Sequence, residues 1–164
     1  MKVVVSDTSV LIDLEHGLFL ESAFRLPIQF TVPDLLYERE LKNYSETDLT
    51  GLGLYVQELD GDAVALAMDY RQKVNTLSLP DVFAFALAKI NSWMLLSGDR
   101  ALREFAEEEN VTFHGVFWVL DRLHEHRVIG HSALFYGLQR IAERPRCRLP
   151  QAEINKRLRL YSDR

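Results

Sequence analysis

The chain has 164 residues, a net charge of −5, 48% hydrophobic and 26% charged residues, which is ordinary for one globular domain with a substantial core. Its one cysteine, Cys147, excludes an internal disulfide framework and a cysteine-based zinc site. The first apolar run meets Asp7 too early for a signal peptide, and no run approaches the roughly 18 residues that span a bilayer. We therefore expect a cytoplasmic protein with no membrane attachment.

Short apolar runs alternate with segments of helical spacing along the whole chain. In the first half, the pattern predicts a strand at 3–6, a helix at 10–16, a strand at 28–32, a helix at 33–43, a loop at 46–53, a strand at 54–59 and a helix from residue 60 or 62 to about 74. In the second half, it predicts a helix at 78–91, a strand at 93–97, a helix at 100–109, a strand at 111–114, and helices at 116–125, 131–143 and 150–161. This alternation predicts a three-layer α/β/α fold with a mostly parallel central sheet, followed by C-terminal helices.

The helix predicted at 78–91 has the clearest local signals. Ser78 suits the N-cap, and Asp81 suits the third helical position. The stretch after Asp81 is apolar on almost every side, so this helix should lie buried against the sheet. Asp81 is the only acid in that stretch, and a carboxylate at the edge of a buried element is costly to desolvate unless something pairs with it.

Acidic residues recur where predicted strands end and predicted helices begin. Asp7 and Asp99 each follow a strand, while Asp81 and either Glu38 or Glu40 lie in the first turns of helices. Ligands of open α/β sheets gather at the carboxyl ends of the strands, so we expect these acids to face one rim. Converging carboxylates repel one another unless a divalent cation lies between them, and an oxygen-only donor set favours Mg²⁺ or Mn²⁺ over zinc.

These segments together resemble the PIN domain, a metal-dependent nuclease fold that includes the VapC-type toxins of toxin–antitoxin pairs. The resemblance covers about residues 1–120 and lies in the ordered set Val5-Ser6-Asp7-Thr8-Ser9, Pro33-Asp34-Leu35-Leu36-Tyr37-Glu38-Arg39-Glu40-Leu41, Leu79-Pro80-Asp81 and Ser97-Gly98-Asp99. A single motif of this set is not specific, whereas the four in this order are. The resemblance implies a Mg²⁺- or Mn²⁺-dependent endoribonuclease that cleaves RNA, acts as a homodimer and is held by an antitoxin protein.

The resemblance also assigns roles to individual residues. It makes Asp7, Asp81 and Asp99 the metal-coordinating acids, and it adds Glu40 to the catalytic set. Glu40 is followed by Leu41, like the family's Glu-Leu pair, but Glu38 stays open as an alternative, because residues two apart on a helix point in different directions. The small hydroxyl residues that support the acids are Thr8, Ser9 and Ser97.

The C-terminal part differs in charge from the rest of the chain. Residues 1–138 carry 11 Lys or Arg against 21 Asp or Glu, whereas residues 139–164 carry 8 against 3. We therefore expect a PIN-like nuclease domain at 1–125 and a basic helical extension at 126–164, packed on the same domain. We expect Arg144, Arg146 and Arg148 to bind RNA phosphates. A solvated helix face or a docking surface for a partner chain would have the same composition.

Several other interpretations fit single residues. Asp81 suits a helix N-terminus because of the macrodipole, and Asp99 suits an N-cap. A phosphatase of the haloacid dehalogenase type needs a second Asp where Ser9 stands, and a receiver domain needs an acid pair near the first strand. A zinc site at His124, His126 and His131 is disfavoured, since rings two positions apart on a helix face different sides. The stronger rival is a non-catalytic module on the same fold that binds nucleic acid or protein.

Overall fold

A parallel sheet forms the centre of the protein. The computed structural model describes residues 1–44 and 46–162, and within them five strands pair in the order β3-β2-β1-β4-β5. The strands are β1 (Lys2–Ser6), β2 (Ile28–Pro33), β3 (Tyr55–Gln57), β4 (Met94–Leu96) and β5 (Phe113–His114). All four pairings are parallel, and helices flank the sheet. The predicted three-layer α/β/α fold is confirmed.

Helices connect the strands and continue past the last one. They are α1 (Thr8–His16), α2 (Leu20–Ala23), α3 (Asp34–Leu36) with a π-helical turn directly after it (Tyr37–Leu41), α4 (Leu49–Leu52), α5 (Gly61–Lys73), α6 (Leu79–Asn91), α7 (Arg100–Glu108), α8 (Val116–Glu125), α9 (His131–Ala142) and α10 (Gln151–Ser162). Among the described residues, none of these helices is long and apolar enough to cross a membrane.

Two short helices depart from the sequence prediction. The prediction of a loop at 46–53 is wrong at Leu49–Leu52, because these residues form α4. Asp48 starts this helix by accepting the N–H of Gly51, and Leu49 anchors it by being buried in the core. Helix α2 was not predicted, because one turn is too short to show helical periodicity. The strands predicted at 54–59 and 111–114 are also shorter than expected, at three and two residues.

Helix α6 is buried as its sequence predicted. The Ser78 hydroxyl accepts the N–H of Asp81 at 3.2 Å, and Pro80 lies in the first turn. Val82 and the stretch 84–88 are buried, because α6 packs against α5 on one side and against β1, β2 and β4 on the other. This packing fixes Asp81, half-buried in the first turn of α6, relative to the sheet.

The C-terminal helices pack onto the strand–helix body. Helix α9 contacts α1, and α10 contacts α9. Gly137 of α9 lies so close to the body that an added Cβ would fall 2.6 Å from the carbonyl oxygen of Gly17. Arg157 of α10 binds both carboxylate oxygens of Asp121 on α8 at 2.9 Å, and its guanidinium covers the Phe117 ring at 4.2 Å. Residues 131–162 are therefore held on the strand–helix body by both side-chain packing and ion pairs.

The order of the strands decides where the site lies. The chain runs outward from β1 to β2 and β3 on one side and then returns to β4 and β5 on the other. The carboxyl ends of β1 and β4 are neighbours, since Ser6 pairs with Leu96 and the N–H of Asp7 donates to the Leu96 carbonyl at 2.9 Å. Ligands of open α/β sheets bind at such a reversal of strand order.

Candidate active site

Asp7 is the buried centre of the acidic cluster. It caps α1 directly after β1, and only 2% of its surface is exposed. Its Oδ1 accepts the Ser9 hydroxyl at 2.7 Å and the Val10 N–H at 3.2 Å, and its Oδ2 accepts the Ser97 hydroxyl. The carboxylate is thereby held in one orientation from three sides.

The same serines join the ends of β1 and β4. The Ser97 hydroxyl oxygen accepts the N–H of Asp99 at 3.0 Å, and the Ser9 hydroxyl oxygen accepts the N–H of Gly98 at 2.9 Å. A Cβ on residue 98 would lie 3.2 Å from the Ser9 oxygen, so a glycine permits this close approach. Ser9 and Ser97 therefore fix both Asp7 and the backbone that carries Asp99.

The π-helical turn separates Glu40 from Glu38. The Thr8 hydroxyl donates to Oε1 of Glu40 at 2.6 Å, which brings this carboxylate beside Asp7. Glu38 is exposed and pairs with Lys42 at 3.2 Å on the other side of the turn. The structure thus brings Glu40, and not Glu38, to the acids at the sheet edge.

Asp81 links the remaining members of the cluster. Asp99 caps α7 by accepting the N–H of Leu102 at 2.9 Å, and Asp81 lies in the first turn of α6. Burial raises the pKa of Asp81, and the negative charges of Asp99 and Glu40 raise it further, while hydrogen bonds from Ser78 oppose the rise. Asp81 therefore interacts electrostatically with each of the other three acids.

In the part of the chain that the structure describes, no cationic side chain is paired with the cluster. Burial raises the pKa of Asp7 to about 6, although the hydrogen bonds from Ser97, Ser9 and Val10 favour the charged form, and the charge of Asp81 adds to the rise. Among the described residues, no Lys, Arg or His forms an ion pair with Asp7, Glu40, Asp81 or Asp99. Uncompensated carboxylates at the end of a sheet are the setting in which a protein binds a cation.

A comparison with known protein families agrees with this geometry. A family model described as a PIN domain matches residues 3–163. The chain belongs to the PIN-domain family. A search of curated proteins found no match. The family match extends through α10, and PIN domains are in general nucleases with a nuclease-type fold.

The acids of this PIN domain suit a divalent cation in charge and donor type, but they are not gathered around one point. Among the described residues, no three His, Cys, Asp or Glu side chains are placed to hold a single ion. Carboxylates with no cation between them repel, so the side chains of Glu40, Asp81 and Asp99 would have to turn towards Asp7 to share an ion. At the rival zinc site, His124 and His131 stack with their Nε2 atoms 3.3 Å apart, with no third ligand in the described chain.

A groove of about 590 Å³ leads from Asp99 to the C-terminal arginines. Arg144, Arg146 and Arg148 line it together with Ser9 and Asp99, so these arginines share one surface with one of the four acids. Arg146 and Arg148 are exposed and form no ion pair with any residue of 1–44 or 46–162. Arg144 is different, because it is half-buried and donates to Asp13 of α1 at 2.8 Å.

The groove also contains residues that the sequence did not single out. Arg103 lies one helical turn after Asp99 on α7, and His114 ends β5 at the same edge of the sheet as Asp7. Trp118 of α8 completes this part of the wall. The position of His114 at the end of the strand predicted at 111–114 is a usable signal, but the sequence did not show that this strand pairs beside β4, next to the acids.

Proposed function

We propose that this PIN domain is a metal-dependent endoribonuclease that hydrolyses RNA phosphodiester bonds. The observation that carries the proposal is the arrangement of Asp7, Glu40, Asp81 and Asp99. They come from four separate segments at the reversal of strand order, and Asp81 interacts electrostatically with the other three. Within residues 1–44 and 46–162, none of the four forms an ion pair with a cationic side chain. A structural role would leave such a repulsive set uncompensated, whereas a divalent cation would neutralise it.

The acids and serines of the cluster have different roles in the proposed reaction. Asp7, Asp81 and Asp99 would hold Mg²⁺ or Mn²⁺, which when bound lowers the pKa of a water and stabilises charge on the phosphodiester oxygens. Glu40, with one oxygen held by Thr8, has its other oxygen available to orient the attacking water. Ser9 and Ser97 keep Asp7 from turning away, a supporting role that orients the acid without contacting RNA.

Two of the three C-terminal arginines are suited to bind RNA phosphates. Arg146 and Arg148 are exposed in the groove and unpaired within the described chain, so they can contact phosphates without losing another partner. Arg144 already neutralises Asp13 and mainly fixes the loop against α1. Replacing Arg146 and Arg148 by Ala should weaken RNA binding and reduce its salt dependence, by a slope of about one for each lost phosphate contact. Replacing Arg144 alone should change the slope little, and an equal effect of all three would argue against this division.

Within this proposal, the protein is the cytoplasmic toxin of a type II toxin–antitoxin pair. The family resemblance supports an antitoxin partner and a homodimer, and the basic extension at 126–164 offers surface for either. Co-expression with the product of the adjacent gene, followed by purification and mass measurement in solution, tests both. A single-chain mass and no co-purifying protein would remove the toxin assignment and leave the nuclease.

The decisive experiment is cleavage of a structured RNA by the purified protein. The reaction is run with Mg²⁺, Mn²⁺ or EDTA, and the parent is compared with Asp7→Asn and Asp99→Asn. Asp60→Asn is the matched control, because Asp60 also caps a helix, α5, but is exposed and outside the cluster. Cutting that needs metal and is lost only in the two site variants supports the nuclease. RNA binding without any cutting would favour the non-catalytic binding module.

A further inference from the structure

An aromatic pair lies in the same groove as Asp99, at the edge of the sheet. The imidazole of His114 stacks on the indole of Trp118, with 5.9 Å between ring centroids and 21° between planes. His114 is exposed, whereas Trp118 is half-buried, with the guanidinium of Arg122 at 5.1 Å from its ring. The imidazole is thus a supported flat surface that faces the groove containing Asp99.

Arg103 provides a cation next to this surface. It lies on α7 one turn after Asp99, and its guanidinium is 5.0 Å from the ring of Phe113, the neighbour of His114 in β5. Its Nη1 is 3.9 Å from the place that a Cβ on Gly115 would occupy. Arg103 is exposed and forms no ion pair in the described chain, so its charge is available to a ligand.

We propose that His114, supported by Trp118, and Arg103 form a subsite for one unpaired nucleotide next to the bond that is cut. The base stacks on the imidazole, and Arg103 binds the phosphate of the same nucleotide. This inference rests on the proposed nuclease function and adds to it a subsite for one base and its phosphate. A base inside a duplex is stacked on both faces, so it cannot reach the imidazole without being unpaired.

An uncharged His114 ring suits a stacked base better than it suits a second phosphate. Burial lowers the pKa of His114, and the nearby charges of Lys2, Arg122 and Arg103 lower it further. The ring is therefore neutral near pH 7 and stacks as an aromatic surface, while the anion is left to Arg103. Base stacking on a protein ring tolerates different bases, because every base has a π-face.

Binding of a fluorescent oligonucleotide tests the subsite without cleavage. The probe is a short single-stranded RNA with one 2-aminopurine, measured in EDTA, and the same strand annealed to its complement is the comparison. Stacking on His114 should quench the probe. His114→Ala should remove the quench and raise Kd roughly tenfold, His114→Phe should keep both, and Arg103→Ala should weaken binding and lower the salt slope by about one.

Matched controls come from residues outside the groove. His126→Ala removes an exposed imidazole at the end of α8, and Arg100→Ala removes an exposed arginine of α7 that pairs with Glu104. Both should bind as the parent does. Equal affinity for single strand and duplex, unchanged binding by His114→Ala, or a loss in His114→Phe equal to that in His114→Ala would overturn the subsite. These results can be told apart from a failure of the proposed nuclease function. In that case the base would stack normally on His114, but RNA would not be cut in the presence of metal.

Discussion

At neutral pH, the buried negative charge of Asp7 should lower the free energy of unfolding of the protein. Its pKa rises from 3.8 to about 6 on folding, mainly because the carboxylate loses its contact with water. Below pH 3.8 the group is protonated in both states and contributes nothing. Between pH 3.8 and 6 the folded state keeps a proton that the unfolded state has released, so the free energy of unfolding falls as pH rises.

The size of this cost follows from the two pKa values. At about 1.4 kcal/mol for each pH unit, the interval from 3.8 to about 6 corresponds to roughly 3 kcal/mol of lost stability above pH 6. Asp7→Asn removes the charge but keeps an oxygen that can accept the Val10 N–H at the N-cap. We therefore expect the variant to be more stable than the parent at pH 8 by up to about 3 kcal/mol, and equally stable near pH 3.5.

Urea unfolding of the parent and Asp7→Asn in EDTA, from pH 3.5 to 8, measures this difference. Asp60→Asn, at the exposed cap of α5, should change the free energy of unfolding little at any pH. Adding Mg²⁺ or Mn²⁺ at pH 8 should stabilise the parent and have little effect on Asp7→Asn, because a ligand stabilises only the state that binds it. A variant no more stable than the parent at pH 8, or a difference that does not shrink in acid, would refute the reasoning.

Three further predictions concern the acids and the C-terminal helices. Glu40→Gln should lower kcat by about a hundredfold or more, whereas Glu38→Gln should leave it nearly unchanged, as measured by steady-state RNA cleavage. Arg157→Lys should lower the free energy of unfolding by about 2 kcal/mol in urea titrations, since an ammonium cannot bind two carboxylates and cover an aromatic ring at once. Gly137→Ala should destabilise the protein by about 2 kcal/mol in the same assay, because its Cβ would fall 2.1 Å from the Phe19 ring; helix propensity alone predicts the opposite sign.

The sequence by itself determined most of the elements, though not the one-turn helices α2 and α4, and it determined the positions of the acids within those elements. Local patterns, such as the spacing of apolar residues and caps like Ser78, predict buried strands and amphipathic helices. The same local patterns place Asp7 and Asp99 after strands, and the structure has both residues as helix caps there. The capping interpretation and the site interpretation are therefore compatible, because one Asp oxygen can cap a helix while the side chain faces the cluster.

Only the tertiary structure decided which of these residues meet. Strand order depends on how distant segments pack, so the sequence did not show that the ends of β1 and β4 are neighbours. Glu40 and Glu38 point to different sides of a π-helical turn, and the sequence has no local pattern that predicts such a turn. Arg144 is held by an ion pair with Asp13, which lies 131 positions away in the chain, whereas Arg146 is not. The groove residue His114 ends a strand of only two residues, and its place beside Asp99 follows from the pairing of that strand with β4. Contacts of this kind depend on packing between segments far apart in the chain, whereas periodicity reports only the neighbours of each residue.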